Sequence, residues 1–73
     1  MTRLADLAVG QSARVRLVHG DDDVTLRLLE MGLTPGSAVI FLGKAPLGDP
    51  LEFEVRGYRL SIRRAEAARI EVE

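Results

Sequence analysis

The stretch Arg27-Leu28-Leu29-Glu30-Met31-Gly32-Leu33-Thr34-Pro35-Gly36 makes a helix stop and the chain turn back within ten residues. Val24, Leu28 and Met31 recur at spacings of four and three with Leu29 beside them, while Arg27 and Glu30 fall toward the other side, the pattern of a helix with one apolar face. Asp21, Asp22 and Asp23 precede it, offering N-cap oxygens and negative charge at the positive end of the helix. Gly32 follows the last periodic residue, where glycine takes the left-handed conformation at low steric cost, and Leu33 can fold back onto Leu28 in a Schellman arrangement. Thr34-Pro35-Gly36-Ser37 carries proline and glycine at the central positions that a type II turn prefers.

The segments around this helix read as strands. Ala13-Arg14-Val15-Arg16-Leu17 alternates apolar and charged residues, so Ala13, Val15 and Leu17 are expected on one buried face, and His19-Gly20 ends the run. Ala38-Val39-Ile40-Phe41-Leu42 is apolar throughout and is expected to be a central strand buried on both faces. Leu51 to Arg56 alternates again, and Gly57-Tyr58 is expected as a two-residue hairpin turn. That turn pairs Arg56 with Arg59, Val55 with Leu60, Glu54 with Ser61, Phe53 with Ile62 and Glu52 with Arg63. Ala65 to Ala68 reads as a helical turn, and Ile70 with Val72 as a last short alternating strand. Leu4 and Leu7, opened by Thr2 and closed near Gly10, form a helical turn that can cover one end of a core.

The sum is mainly β: about five strands with one short inserted α-helix. Closure protects strand edges in a chain too short for a two-layer sandwich, so the expected fold is a small SH3-like barrel occupying residues 1–73 as one domain. Seventy-three residues bury only about 60% of the unfolded surface, which leaves little room for a deep catalytic cleft. Zero cysteines exclude disulfides, thiolate metal sites and thiol catalysis. Ten basic and eleven acidic residues give a net charge of -1, without the basic excess of a nucleic-acid binder. No apolar run approaches the roughly 20 residues of a membrane span, and the N-terminus shows no secretory h-region. A cytoplasmic location with no direct membrane insertion is expected.

Catalytic chemistry finds no foothold. There is no phosphate-binding glycine loop, and with one histidine no serine sits in a recognisable nucleophile setting, so no catalytic or cofactor-binding residue is assigned. His19 with Asp21, Asp22 and Asp23 is a weak candidate for a divalent metal, an imidazole beside hard oxygens. Capping and the helix dipole already account for three aspartates there. The segment Pro46-Leu47-Gly48-Asp49-Pro50 is a pre-ordered loop with an apolar tip, which costs little entropy on binding. Tyr58 is the only tyrosine and a rigid anchor, and Arg56, Arg59, Arg63 and Arg64 make a locally basic hairpin that can steer toward an acidic surface.

Four blocks in order, Arg27 to Gly36, Ala45-Pro46-Leu47-Gly48-Asp49-Pro50, Arg56-Gly57-Tyr58 and Leu60-Ser61-Ile62-Arg63-Arg64-Ala65-Glu66-Ala67, together resemble the FeoA-domain family of the bacterial ferrous iron transport system. The likeness covers nearly the full length. It implies an SH3-like, non-catalytic cytoplasmic accessory protein that acts with the cytoplasmic, GTP-binding part of a FeoB-type membrane iron transporter, which would recruit it to the inner face of the membrane. The same domain type resembles the C-terminal module of iron-dependent repressors, so a metal-binding or metal-responsive regulator is the alternative. That module is attached to a DNA-binding domain, for which this chain has no room. Family members often carry basic residues just before the helix motif, where this chain has Asp21, Asp22, Asp23 and Thr25. The expected partner surface is Met31 and Leu33 at the helix exit, Pro46, Leu47, Gly48, Asp49 and Pro50 in the loop, and Tyr58 with Arg59 in the hairpin. An exposed strand edge or the apolar loop would equally serve a homo-oligomer.

Overall fold

One strand changes partners along its length, and that change sets the shape of the molecule. In the computed structural model, which describes residues 2–73, β2 (Ser12–Val18) pairs through Ser12, Ala13 and Arg14 with β3 (Ala38–Lys44) and through Val15 to Val18 with β6 (Ile70–Val72). The other strands are β1 (Thr2–Arg3), β4 (Leu51–Val55) and β5 (Tyr58–Ile62), and the hydrogen-bonded order is β1-β6-β2-β3-β4-β5, antiparallel throughout. The sheet wraps without closing, leaving β1 and β5 at its ends. A 3₁₀ turn (Leu4–Asp6), α1 (Asp23–Glu30) and α2 (Arg64–Ala67) complete the chain.

The core lies inside this wrapped sheet. Phe53, Leu28, Leu33, Val15, Val39, Val55 and Ile70 are fully buried, and Phe41 packs its ring against Phe53 at 5.2 Å between centroids, tilted by 40°. Leu4 and Leu7 are buried as expected, so the 3₁₀ turn covers one end. α1 begins where anticipated: the Asp22 carboxylate accepts from the Thr25 backbone N–H at 3.2 Å. It also ends where anticipated. Gly32, at φ 105°, donates to the Leu29 carbonyl at 3.0 Å and Leu33 to the Leu28 carbonyl at 3.2 Å, the two bonds of a Schellman motif. Ser37 then donates to the Thr34 carbonyl at 3.0 Å across the turn, with Gly36 at φ 91°.

Five expectations need correction. The strands number six among the described residues, because Thr2–Arg3 adds to β6 through backbone bonds that a two-residue segment does not advertise. In β2 the register shifts between Val15 and Leu17; a bulge moves the inward face by one residue, so Val18 is buried and Leu17 is 46% exposed. β3 is central but buried on one face only, through Val39 and Phe41, with Ile40 and Leu42 half-buried. The β4–β5 turn is Arg56-Gly57 rather than Gly57-Tyr58.

Both turn residues have positive φ, 54° and 88°, the type I′ pattern with glycine second. The register becomes Val55 opposite Tyr58, Glu54 opposite Arg59, Phe53 opposite Leu60, Glu52 opposite Ser61 and Leu51 opposite Ile62. Opposite charges therefore face each other where two arginines had been expected. The displacement is two residues, so the inward face is unchanged.

β6 likewise fails to alternate: all three residues are buried, and the charge of Glu71 is met by Arg16 at 3.2 Å and by His19 at 3.0 Å.

Candidate functional site

The loop between β3 and β4 is a turn held by its own backbone and by the neighbouring helix. Gly48, at φ 89°, donates to the Ala45 carbonyl at 2.7 Å, and Ala45 donates to the Pro50 carbonyl at 3.0 Å. Pro46 and Leu47 thus occupy the two corner positions of a β-turn. From outside, the Arg64 backbone N–H donates to the Asp49 carboxylate at 2.9 Å and the Arg64 guanidinium to the Gly48 carbonyl at 3.3 Å. Asp49 thereby supplies the capping oxygen that the first turn of α2 lacks from its own Ncap residue, Arg63. Leu47 stands at the tip of this braced loop with 96% of its surface exposed.

Next to the loop, the exit of α1 and the hairpin are joined. The Tyr58 hydroxyl donates to the Met31 carbonyl at 3.4 Å, and a Cβ placed on Gly32 would lie 3.3 Å from that hydroxyl. A groove of about 350 Å³ runs from Met31 and Arg27 past Ser61 to Pro50, walled by Arg63 and Glu66. Arg27 and Glu66 pair across it, fastening α1 to α2. The structure therefore brings together Met31, Pro50 and Tyr58, with Leu47 projecting from the adjoining loop. Pro46 and Arg59 are exposed as well.

Leu33 does not belong to this surface. It is fully buried, because the Schellman exit draws it back over the core against Leu28, and no partner can reach it. Gly48 and Asp49 serve the loop's bracing. The Arg27–Glu66 pair, Ser61 and the anchoring role of Arg64 were missed by sequence reasoning. The signal for Arg64 was present in an Asp-Pro step ahead of an uncapped helical turn, but pairing them requires knowing that β4 and β5 bring residues 49 and 64 together.

The candidate metal cluster is not assembled. Among the described residues, no three His, Cys, Asp or Glu side chains converge. The His19 ring is hydrogen-bonded to buried Glu71. Asp22 caps α1 and accepts from Arg69 at 2.7 Å, and this guanidinium, with the Thr25 N–H, holds its carboxyl well below the usual carboxylate range; Asp22 in turn raises the pKa of Arg69. Ser37 bonds to Thr34 at 2.9 Å and receives Arg56 at 3.2 Å, a brace for the reversal after α1. Among the described residues no helix is long and apolar enough to cross a membrane.

Comparison with known proteins places these features in a wider set. The family model described as the FeoA domain matches residues 2–73. A fusion protein of Porphyromonas gingivalis, in which Fe(2+) transport protein A is joined to the Fe(2+) transporter FeoB, is 39% identical over 71 residues; this is 97% of the chain, which spans only 8% of that relative's length. The solution structure of FeoA from Chlorobium tepidum superposes with a TM-score of 0.91 at 39% identity, covering 99% of this chain and 69% of that one. The zinc complex of Stenotrophomonas maltophilia FeoA, described as a prokaryotic SH3-domain protein, gives a TM-score of 0.83 at 32% identity over 100% of this chain and 91% of that one. The mainly β, SH3-like architecture expected from the sequence is thus the architecture found.

Proposed function

Since the chain belongs to the FeoA domain family, we propose that it serves ferrous iron uptake as a non-catalytic accessory module that docks on the cytoplasmic region of a FeoB-type transporter. The observation that carries this reading is Leu47, 96% exposed at the tip of a loop braced by Arg64 at two points. An apolar side chain held out in water by a rigid support has its ordering cost met before any partner arrives, which favours association. Pro50 and Met31 extend the apolar surface along the groove, and Tyr58 adds a half-exposed ring with a polar tip. The fused relative supports the choice of partner, because joining two modules in one polypeptide raises their effective concentration for contact. Docking there would hold the protein at the inner face of the membrane.

Three of the polar groups that could have suggested catalysis are occupied structurally. His19 holds Glu71, Asp22 holds Arg69 and the helix start, and Ser37 holds the turn. Calorimetric titration with the isolated cytoplasmic domain of the cognate transporter, in GDP-loaded and GTP-analogue-loaded forms, tests the proposal. Wild-type binding that disappears in Leu47→Asp, with the variant folded, is the expected result. Absence of wild-type binding in both nucleotide forms would refute it.

A further inference from the structure

The hairpin geometry leaves one strand with a side that nothing among the described residues pairs with. β5 is the last strand in the sheet order, and among the described residues no turn, loop or cap bond of the backbone reaches Arg59 or Ser61. A two-residue type I′ turn closes on a hydrogen-bonded pair, here Val55 and Tyr58, and such pairs alternate along an antiparallel ladder. Phe53/Leu60 and Leu51/Ile62 are therefore bonded pairs as well. Arg59 and Ser61 turn their N–H and C=O groups away from β4, outward along the free edge. The groove that contains Ser61 borders this edge, with Met31 and Pro50 as its apolar ends.

Charge decides what can add there. Arg56, Arg59 and Arg63 are exposed along or just beyond β5, and among the described residues none of them is in an ion pair. The acids nearby lie one strand inward, Glu54 opposite Arg59 and Glu52 opposite Ser61, or are taken by Arg27, as Glu66 is. A charge in the middle of an edge strand repels an identical edge and so disfavours a second copy of this chain.

We propose that the β5 edge accepts an extended acidic segment of a partner polypeptide as an added strand. The N–H and C=O groups of Arg59 and Ser61 pair with the segment's backbone, and its carboxylates face Arg59 and Arg63. The proposal rests on the reading that a partner docks on this side of the molecule, and it supplies the mode: main-chain pairing gives affinity, the arginines give sign selectivity, and the Leu47 loop stands beside the entering segment.

The first probe is a short capped peptide alternating valine and glutamate, with a valine–lysine peptide as its counterpart, followed by amide hydrogen exchange of the full chain. Selective slowing at Arg59 and Ser61 by the glutamate peptide, weakened by added salt, is expected. Ser61→Pro removes an outward N–H, which an edge strand tolerates, and should weaken the glutamate peptide about tenfold or more while the circular dichroism spectrum is retained. Arg59→Glu should exchange the preference to the lysine peptide, and it serves as the test should Ser61→Pro misfold. No slowing, equal slowing by both peptides, or slowing that appears without peptide as protein concentration rises would each overturn the proposal, the last by making a second copy the occupant. Titration of Ser61→Pro with the transporter's cytoplasmic domain separates the two readings. Wild-type-like affinity for that domain overturns the edge mode and leaves the docking reading intact. Edge slowing by peptide together with wild-type silence toward the domain removes the transporter reading and leaves the edge assignment standing.

Discussion

Leu33 and Leu47 stand in similar sequence company, each beside a glycine and within two residues of a proline, yet Leu33 is fully buried and Leu47 is 96% exposed. Backbone hydrogen bonds account for the difference. At the first site the left-handed Gly32 lets the Leu33 N–H reach the Leu28 carbonyl, and that bond swings the leucine over the core. At the second site Gly48 closes a turn on Ala45 with Leu47 at its corner, and a corner residue cannot fold back. The same residue types thus build an internal clasp in one place and an outward peg in the other. Composition of an irregular segment marks that it is special; the bonding of its glycine decides which way its leucine goes.

The largest expected effect tests the clasp. Leu33→Ala should lower stability by about 2–5 kcal/mol in urea unfolding, since it empties a site in a closely packed core. Leu47→Ala should stay within about 0.5 kcal/mol of wild type. Comparable losses for the two would break the contrast. Gly32→Ala comes next, at roughly 1–2 kcal/mol, because a side chain at φ 105° is strained. Its Cβ would also press on the Tyr58 hydroxyl at 3.3 Å, so the fluorescence of the sole tyrosine should change with the variant.

How far the sequence foretold this arrangement depends on how local each decision was. An acidic cap among Asp21, Asp22 and Asp23, the Schellman exit at Gly32, the turn at Pro35 and the loop with Leu47 at its tip are each decided within a few residues, and each is readable; which aspartate caps is settled by the fold. Three features were decided at long range and are not readable. Val72 and Glu71 pair with Thr2 and Arg3 across the whole chain, Glu71 is buried because β1 and β2 flank it, and the β2 bulge follows from serving two neighbours at once. The hairpin lies between these cases. Its faces follow from alternation alone, but placing the turn required preferring a non-glycine at φ 54° over an Arg56/Arg59 pairing, and the Glu54/Arg59 match favours the observed register. Of the candidate surface, Leu33 drops out because the expected fold-back onto Leu28 buries its side chain completely and leaves nothing of it at the rim.

A smaller effect concerns the latch at the start of α1, remote from the peg. The Arg69 guanidinium and the Thr25 N–H hold the Asp22 carboxyl below its ordinary value of 3.8. Below that value the unfolded chain takes up the proton first, so the latch's contribution is fully present at neutral pH and fades as the solution is acidified through and below pH 3.8. Asp22→Asn keeps a capping oxygen and loses the charge. Urea midpoints measured from pH 7 downward should therefore fall less steeply for the variant than for wild type. Parallel curves would mean that the exposed pair contributes nothing to folding.

The smallest expected change in stability belongs to Leu47→Asp, and it sharpens the comparison most. The side chain touches solvent almost everywhere, and the braces at Gly48 and Asp49 use a backbone carbonyl and a neighbouring carboxylate that the substitution leaves in place. Unfolding free energy should remain within about 0.5 kcal/mol. If Leu47 is the peg that enters a partner, affinity for the transporter's cytoplasmic domain should fall at least about tenfold, because burying a leucine side chain is worth about 1.5–3 kcal/mol and the carboxylate would resist desolvation. A Leu33→Ala protein kept folded at low temperature should show the converse, weakened stability with affinity retained. Each leucine would then move one quantity and spare the other. A Leu47→Asp protein that binds normally would leave the braced loop as a support for α2, and the docking face would have to begin at Met31 and Tyr58.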